Sequence, residues 1–202
     1  MAYSLWKQRN YVIFRNQTPI TSKIVFSAAN LFKQYPNCHL ITSHKHSYST
    51  TVFKWHPPPP NRLKLNFDGS VIHHSAASGF IFQNSDGNPI LASTKQVGKQ
   101  DILTAEALAL RASLIAAWYH NFTHFQVEGD SKTLIDSING TTPCPRRILT
   151  IVRDIKHLAL LLQVPFIQHI KRDQNFVADT VTKLGHTTSV QAWNASLPLS
   201  AS

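Results

Sequence analysis

From Leu63 the chain alternates. Leu63, Leu65 and Phe67 are apolar and Lys64, Asn66 and Asp68 are polar, the two-residue period of a strand with one apolar face. Residues 79–82 form a short apolar run that predicts a second strand. Asn84-Ser85-Asp86-Gly87 carries the Asp-Gly hairpin signal, and residues 89–97 read as the returning strand. Together these predict a three-strand antiparallel meander. Residues 103–120 are rich in Ala and Leu, contain no Gly or Pro, and predict a helix that Asp101 or Thr104 can cap. Residues 122–128 predict a fourth strand and 131–139 a short helix closed by Gly140. Residues 141–146 are a proline-punctuated loop, 147–162 a second long helix, and 164–170 a fifth strand. Residues 175–184 form a last helix, stopped by Gly185. The order β-β-β-α-β-α-α-β-α implies an α/β fold, a five-stranded mixed sheet with helices on its faces.

Upstream the pattern weakens. Residues 3–14 and 20–34 have patchy helical periodicity and no acidic partners, so residues 1–56 predict one or two weak helices. Pro57-Pro58-Pro59-Pro60 favours an extended polyproline II linker. Residues 61–187 form the main domain, and residues 188–202 are expected to be a loose tail.

The 202 residues suffice for one domain with a full core plus an extension. No apolar run approaches the ~20 residues of a membrane span. The N-terminus lacks an apolar signal core and a small-residue cleavage site, so no secretory signal is expected. The Asn-x-Ser/Thr triplets at Asn16, Asn121, Asn139 and Asn194 then read as chance. Cys38 and Cys144 have no metal-ligand spacing and predict a reducing compartment, nuclear or cytoplasmic.

Charge changes the picture by its position. Residues 1–67 hold nine Lys/Arg and no acid, whereas residues 68–202 hold eleven basic and all ten acidic residues, a net of +1. A basic arm ahead of a near-neutral domain suggests a polyanion partner. An organellar transit segment, or a segment without a role, is compatible with the same composition.

Four of the ten acids stand at telling places: Asp68 at a strand end, Glu106 in the first turn of a helix, Asp130 after an apolar strand, and Asp179 within a helix. Crevices at strand C-termini are where open α/β sheets place ligands. Carboxylates converging there without a Cys/His cluster suit hard cations such as Mg²⁺, and two such ions can clamp both oxygens of a phosphodiester displacement. Each acid also has an ordinary reading. Asp68 could be a surface strand end, Glu106 an acid favoured by a helix N-terminus, and Asp130 an N-cap. Asp179 is a poor helix former in a helix interior, which argues for a role. Glu128 shares Asp130's strand face and reads as an electrostatic neighbour.

The segments NFDGS, TAEALAL, VEGDSKTLI and HIKRDQNFVAD, in that order, resemble the four signature segments of type 1 ribonuclease H. The nearest form is the plant reverse-transcriptase-like family, related to the ribonuclease H of non-LTR retrotransposons. The resemblance covers residues 61–187, and WKQRNYVIF resembles the tail preceding this domain in such polyproteins.

The resemblance implies a three-strand antiparallel meander plus two parallel strands. It implies that Asp68, Glu106, Asp130 and Asp179 hold two Mg²⁺ or Mn²⁺ ions. The reaction implied is cleavage of the RNA strand of an RNA–DNA hybrid by a monomer, leaving 5′-phosphate and 3′-hydroxyl ends. His169, on a loop, would assist proton transfer or product release. Gly69, Ser70 and Ser131 would touch the hybrid's sugars and phosphates, Lys171 and Arg172 its phosphates, and Asn175 fits the same segment. Many of the best-known type 1 enzymes carry a basic, tryptophan-containing helix between the third and fourth carboxylates, and here that interval holds only residues 140–146 between two helices. The alternative is a domesticated nucleic-acid-binding module derived from a retroelement, catalytically weak or inactive. A module whose basic arm docks an acidic partner is a third class.

Overall fold

Strand β1 (Leu63–Ile72) lies inside the sheet and sorts its two faces. It runs antiparallel to β2 (Ser75–Gln83), which returns through β3 (Pro89–Gly98). On its other side β1 pairs in parallel with β4 (Phe125–Gly129), and β4 pairs in parallel with β5 (Ile167–His169). These five strands are the expected mixed sheet. The computed structural model describes residues 55–187 and the backbone of a further strand, β6 (Val190–Asn194). β6 pairs antiparallel with β3, giving the order β5-β4-β1-β2-β3-β6. The loose tail expected at 188–202 thus contains an edge strand. Its five residues, VQAWN, are too short a signal to separate from loop. The weak helices expected at 3–14 and 20–34 lie outside the described residues.

The apolar positions of β1 face one layer of helices. Leu65 and Phe67 are fully buried beneath α1 (Ile102–Tyr119), α2 (Lys132–Asn139) and α3 (Leu149–Leu161), with Leu110, Leu134 and Ile155 in the same core. Truncating Phe67 to Ala would cost about 3–5 kcal/mol. Helix α1 is apolar and long enough to span a membrane by composition, but half of that stretch is buried in this core. Asp101 caps it, Oδ1 accepting from the backbone N–H of Thr104 at 3.1 Å.

The polar positions of β1 are buried too, beneath α4 (Phe176–Leu184) and residues around Trp55. Lys64, Asn66 and Asp68 are all under 7 % exposed. A buried polar face requires partners. Thr182 on α4 supplies one by donating to the Asp68 carbonyl at 3.2 Å.

Several boundaries differ from the expected ones. β4 starts at Phe125, not residue 122, because Asn121 and His124 adopt φ of 55° and 54°. Phe122 instead sets its ring 5.0 Å from that of Phe82. β5 shrinks to three residues, and α3 is preceded by a 3₁₀ turn at Arg146–Ile148. β1 and β2 meet at His73-His74, whose φ values of 47° and 64° match a two-residue type I′ hairpin.

Candidate metal centre

β1 and β4 run parallel, with Asn66 opposite Glu128. Two residues further along stand Asp68 and Asp130 on neighbouring strands: Asp130 directly follows β4, whereas Asp68 lies within β1, which continues to Ile72, and not at the strand end expected for it. Glu106 arrives from α1. That helix begins at Ile102, which puts Glu106 in its second turn rather than the first. Gly69 permits the approach, because a Cβ there would collide with the backbone nitrogen of Glu106. Carboxylate oxygens of Asp68, Glu106 and Asp130 all lie within 4.8 Å of one another.

The three acids are bound unequally. Ser131 Oγ donates to Glu106 Oε2. Asn175 Nδ2 donates to Asp130 Oδ1 at 2.9 Å. Asp68 Oδ2 is buried without a hydrogen-bond partner. An orphaned carboxylate oxygen facing two other acids is costly unless a proton or a cation meets it. Burial, reinforced by Asp130, Asp179 and Glu106, pushes the Asp68 carboxyl up to about 8, with Arg172 opposing. Burial likewise lifts Glu106 to about 7, while the Ser131 hydrogen bond pulls it down and Asp130 raises it. An all-oxygen donor set with excess negative charge fits a hard divalent cation such as Mg²⁺ or Mn²⁺.

Asp179 is placed differently. It sits on α4, 9 % exposed, with Oδ2 2.5 Å from Lys183 Nζ and Oδ1 3.5 Å from an Arg172 nitrogen. The structure brings three of the four expected carboxylates together and holds the fourth in ion pairs beside them. Arg172 is exposed, and its charge also acts on Asp68 and Glu106. Lys171 precedes it, exposed, at the start of the 3₁₀ turn Arg172–Gln174.

His169 ends β5 opposite Gly129 rather than standing on a loop. It is exposed, its charge acts on Asp136, and it lines a cavity with Lys64, Glu128 and Lys171. Among the described residues no hydrogen bond joins it to the three carboxylates. Glu128 pairs with Lys64 at 2.6 Å instead of joining the acidic group. Gly69 is buried, Ser131 is turned to Glu106, and Ser70 Oγ lies 3.0 Å from His186 Nε2.

Asn175 requires a correction. It is 1 % exposed, and its side chain is taken up by Asn66, the Phe67 carbonyl and Asp130. It supports the site from within and presents nothing to a nucleic acid. Asn66 and Lys183 do not stand out in the sequence as site residues. Lys183 was findable, since an acid four residues before a lysine on a helix is a pairing signal. Asn66 carried only the signal of a polar position in an alternating strand.

The comparisons agree with this architecture. A family model described as "Reverse transcriptase-like" matches residues 66–185, more than half of the chain. No curated protein sequence matches. Among solved structures, ribonuclease H1 from the halophilic archaeon Halobacterium salinarum is 25 % identical with a TM-score of 0.53, covering 63 % of this chain and 98 % of its own. The N-terminal ribonuclease H domain of a Mycobacterium tuberculosis protein is 20 % identical with a TM-score of 0.56, covering 62 % and 94 %. LC11 ribonuclease H1, solved in complex with an RNA/DNA hybrid, is 18 % identical with a TM-score of 0.56, covering 60 % and 94 %. With the family model matching more than half of the chain and the solved ribonuclease H domains sharing its fold, the chain belongs to the reverse transcriptase-like family and has the type 1 ribonuclease H fold.

Proposed function

We propose that the chain is an endoribonuclease that cleaves the RNA strand of RNA–DNA hybrids by phosphodiester hydrolysis with two Mg²⁺ or Mn²⁺ ions. The observation that carries this reading is the group Asp68, Glu106 and Asp130, with a buried Asp68 oxygen left without a partner. A similar fold bound to an RNA/DNA hybrid, in LC11 ribonuclease H1, supports the substrate class.

In this reading Asp68, Glu106 and Asp130 would hold the ions, with Asp179, paired with Lys183 and Arg172, as the fourth carboxylate of the set. When bound, such ions lower the pKa of the attacking water and stabilise charge on the leaving oxygen. Ser131 keeps Glu106 oriented and partly ionised, and Asn175 fixes Asp130. Exposed Lys171 and Arg172 meet phosphates, the backbone near Ser70 lies along the sugar edge, and His169 moves a proton at the exposed end of β5. Reading 2′-hydroxyls in the shallow minor groove separates RNA from DNA. The test is cleavage of a labelled RNA strand in a hybrid with Mg²⁺ and with chelator. Cleavage confined to the Mg²⁺ reaction is expected.

One observation favours a second reading, a nucleic-acid-binding module without turnover. Asp179 already has two cationic partners, so the fourth ligand is neutralised. Tight hybrid binding with no cleavage in Mg²⁺ or Mn²⁺ would select it.

A further inference from the structure

Trp55 lies outside the stretch matched by the family model, yet it is connected to the metal site. Its indole Nε1 donates to Asn66 Oδ1 at 3.1 Å. Asn66 Nδ2 donates to Asn175 Oδ1 at 3.3 Å. Asn175 Nδ2 donates to Asp130 Oδ1 at 2.9 Å and to the Phe67 carbonyl at 2.8 Å.

Chemistry fixes the direction of this chain. An indole N–H only donates, and a carbonyl and an ionised carboxylate only accept. Asn175 must therefore turn its NH₂ to Asp130 and Phe67, which leaves its oxygen for Asn66. Asn66 must turn its NH₂ to Asn175, which leaves its oxygen for Trp55. Reversing either amide would set acceptor against acceptor or donor against donor. Asn66 and Asn175 are 2 % and 1 % exposed, so water cannot easily replace a missing partner.

The indole is held in place as well. Its ring lies over Gly87, where a Cβ would sit 3.6 Å from Cζ3. Lys64 Nζ lies 5.4 Å from the ring centroid and is itself fixed by Glu128 and the His56 carbonyl.

We propose that Trp55 is a positioning residue for Asp130, acting through Asn66 and Asn175. This rests on the reading of Asp130 as a metal ligand. Without the indole N–H, Asn66 has a buried acceptor with no donor and is anchored only through its NH₂ on Asn175. Asn175 then rests on a less firmly held donor, and the orientation of Asp130 is less firmly pre-set for the cation. Groups behind a metal ligand contribute measurably to affinity in this way.

The test is Mn²⁺ titration of the full chain by calorimetry, with thermal melting and NMR of the side-chain amides. Trp55→Phe keeps a ring over Gly87 and removes the donor. It should weaken Mn²⁺ binding about three- to tenfold, the effect of one hydrogen bond. It should also shift the Asn66 and Asn175 amide resonances. Asn66→Ala leaves the indole packing untouched and should weaken binding at least as much. The double variant should lose little more than Asn66→Ala alone. Wild-type affinity in Asn66→Ala, or additive losses in the double variant, would overturn the relay. If the unmodified chain bound no Mn²⁺, the metal-site reading would fail. The Asn175 amide shift in Trp55→Phe would then decide the relay: a shift supports it, and an unmoved resonance overturns it.

Discussion

The Ser131 hydroxyl donates to Glu106 Oε2, joining the start of α2 to α1. Ser131 occupies the N-cap position of α2 but makes no capping bond there. Its hydroxyl is committed to the acid, and it pulls down the Glu106 pKa that burial raises. Ser131→Ala should let Glu106 keep its proton to higher pH. The pH profile of Mg²⁺-dependent cleavage should move to the alkaline side, with roughly a two- to tenfold loss near pH 7. An unmoved profile would mean that Glu106 does not control the reaction.

The raised carboxyls make a stability prediction. Folded and metal-free, Asp68 titrates near 8 against 3.8 unperturbed, and Glu106 near 7 against 4.5. Between those values the folded state binds more protons than the unfolded chain, so this contribution falls as pH rises. It is full below about pH 4 and gone above about pH 8. Chelator-treated protein should therefore melt at a lower temperature near pH 8.5 than near pH 5. Asp68→Asn should flatten that dependence, and Mg²⁺ should restore stability at the alkaline end. Melts that ignore both pH and metal would show that the fold does not hold these buried carboxyls protonated.

The two-residue alternation of β1, the Asp-Gly turn before β3 and the Ala-rich run of α1 marked their elements because each is a local pattern. Asp130, directly after the apolar strand β4, was legible for the same reason, whereas Asp68 lies inside β1 and not at its end, because the pairing with β2 carries the strand on to Ile72. The His73-His74 hairpin was not legible, since neither residue is a usual choice at positive φ. Nor was the inward role of Asn175, whose partners Asn66 and Phe67 stand 109 and 108 residues earlier in the chain. No periodicity carries that pairing. The ion pairs of Asp179 were half legible: Lys183 lies one helical turn on, whereas Arg172 reaches it from a separate 3₁₀ turn.

The basic arm should supply grip that the domain lacks. Residues 1–52 carry Lys7, Arg9, Arg15, Lys23, Lys33 and Lys45 and no acid. The second compact unit starts at Phe53, so cutting there keeps Trp55 with its partners. Deleting 1–52 should weaken binding to hybrid, duplex DNA and duplex RNA alike, because binding to phosphates carries no sequence information. The salt dependence should flatten by about 0.7–0.9 log units for each phosphate that the arm had neutralised. Equal slopes with and without the arm would separate it from nucleic acid.

His169 stands exposed at the end of β5, apart from the three acids. A proton-transfer role predicts that His169→Ala slows turnover by roughly 10²-fold while leaving Mn²⁺ affinity unchanged. Loss of Mn²⁺ binding would make it a structural part of the site. An unchanged rate would remove it from the reaction.

Asp130 directly follows β4, lies with Asp68 and Glu106, and takes its orientation from Asn175. Asp130→Asn removes one charge from the repelling group, so the folded protein should persist and, without metal, melt no lower than the parent. The decisive measurement is cleavage of the labelled RNA strand of a hybrid by the full chain and by Asp130→Asn, each with Mg²⁺ and with chelator. Cleavage by the parent in Mg²⁺ alone, and none by the variant, is expected. Undiminished cleavage by folded Asp130→Asn, or cleavage by the parent in chelator, would contradict the metal-site reading.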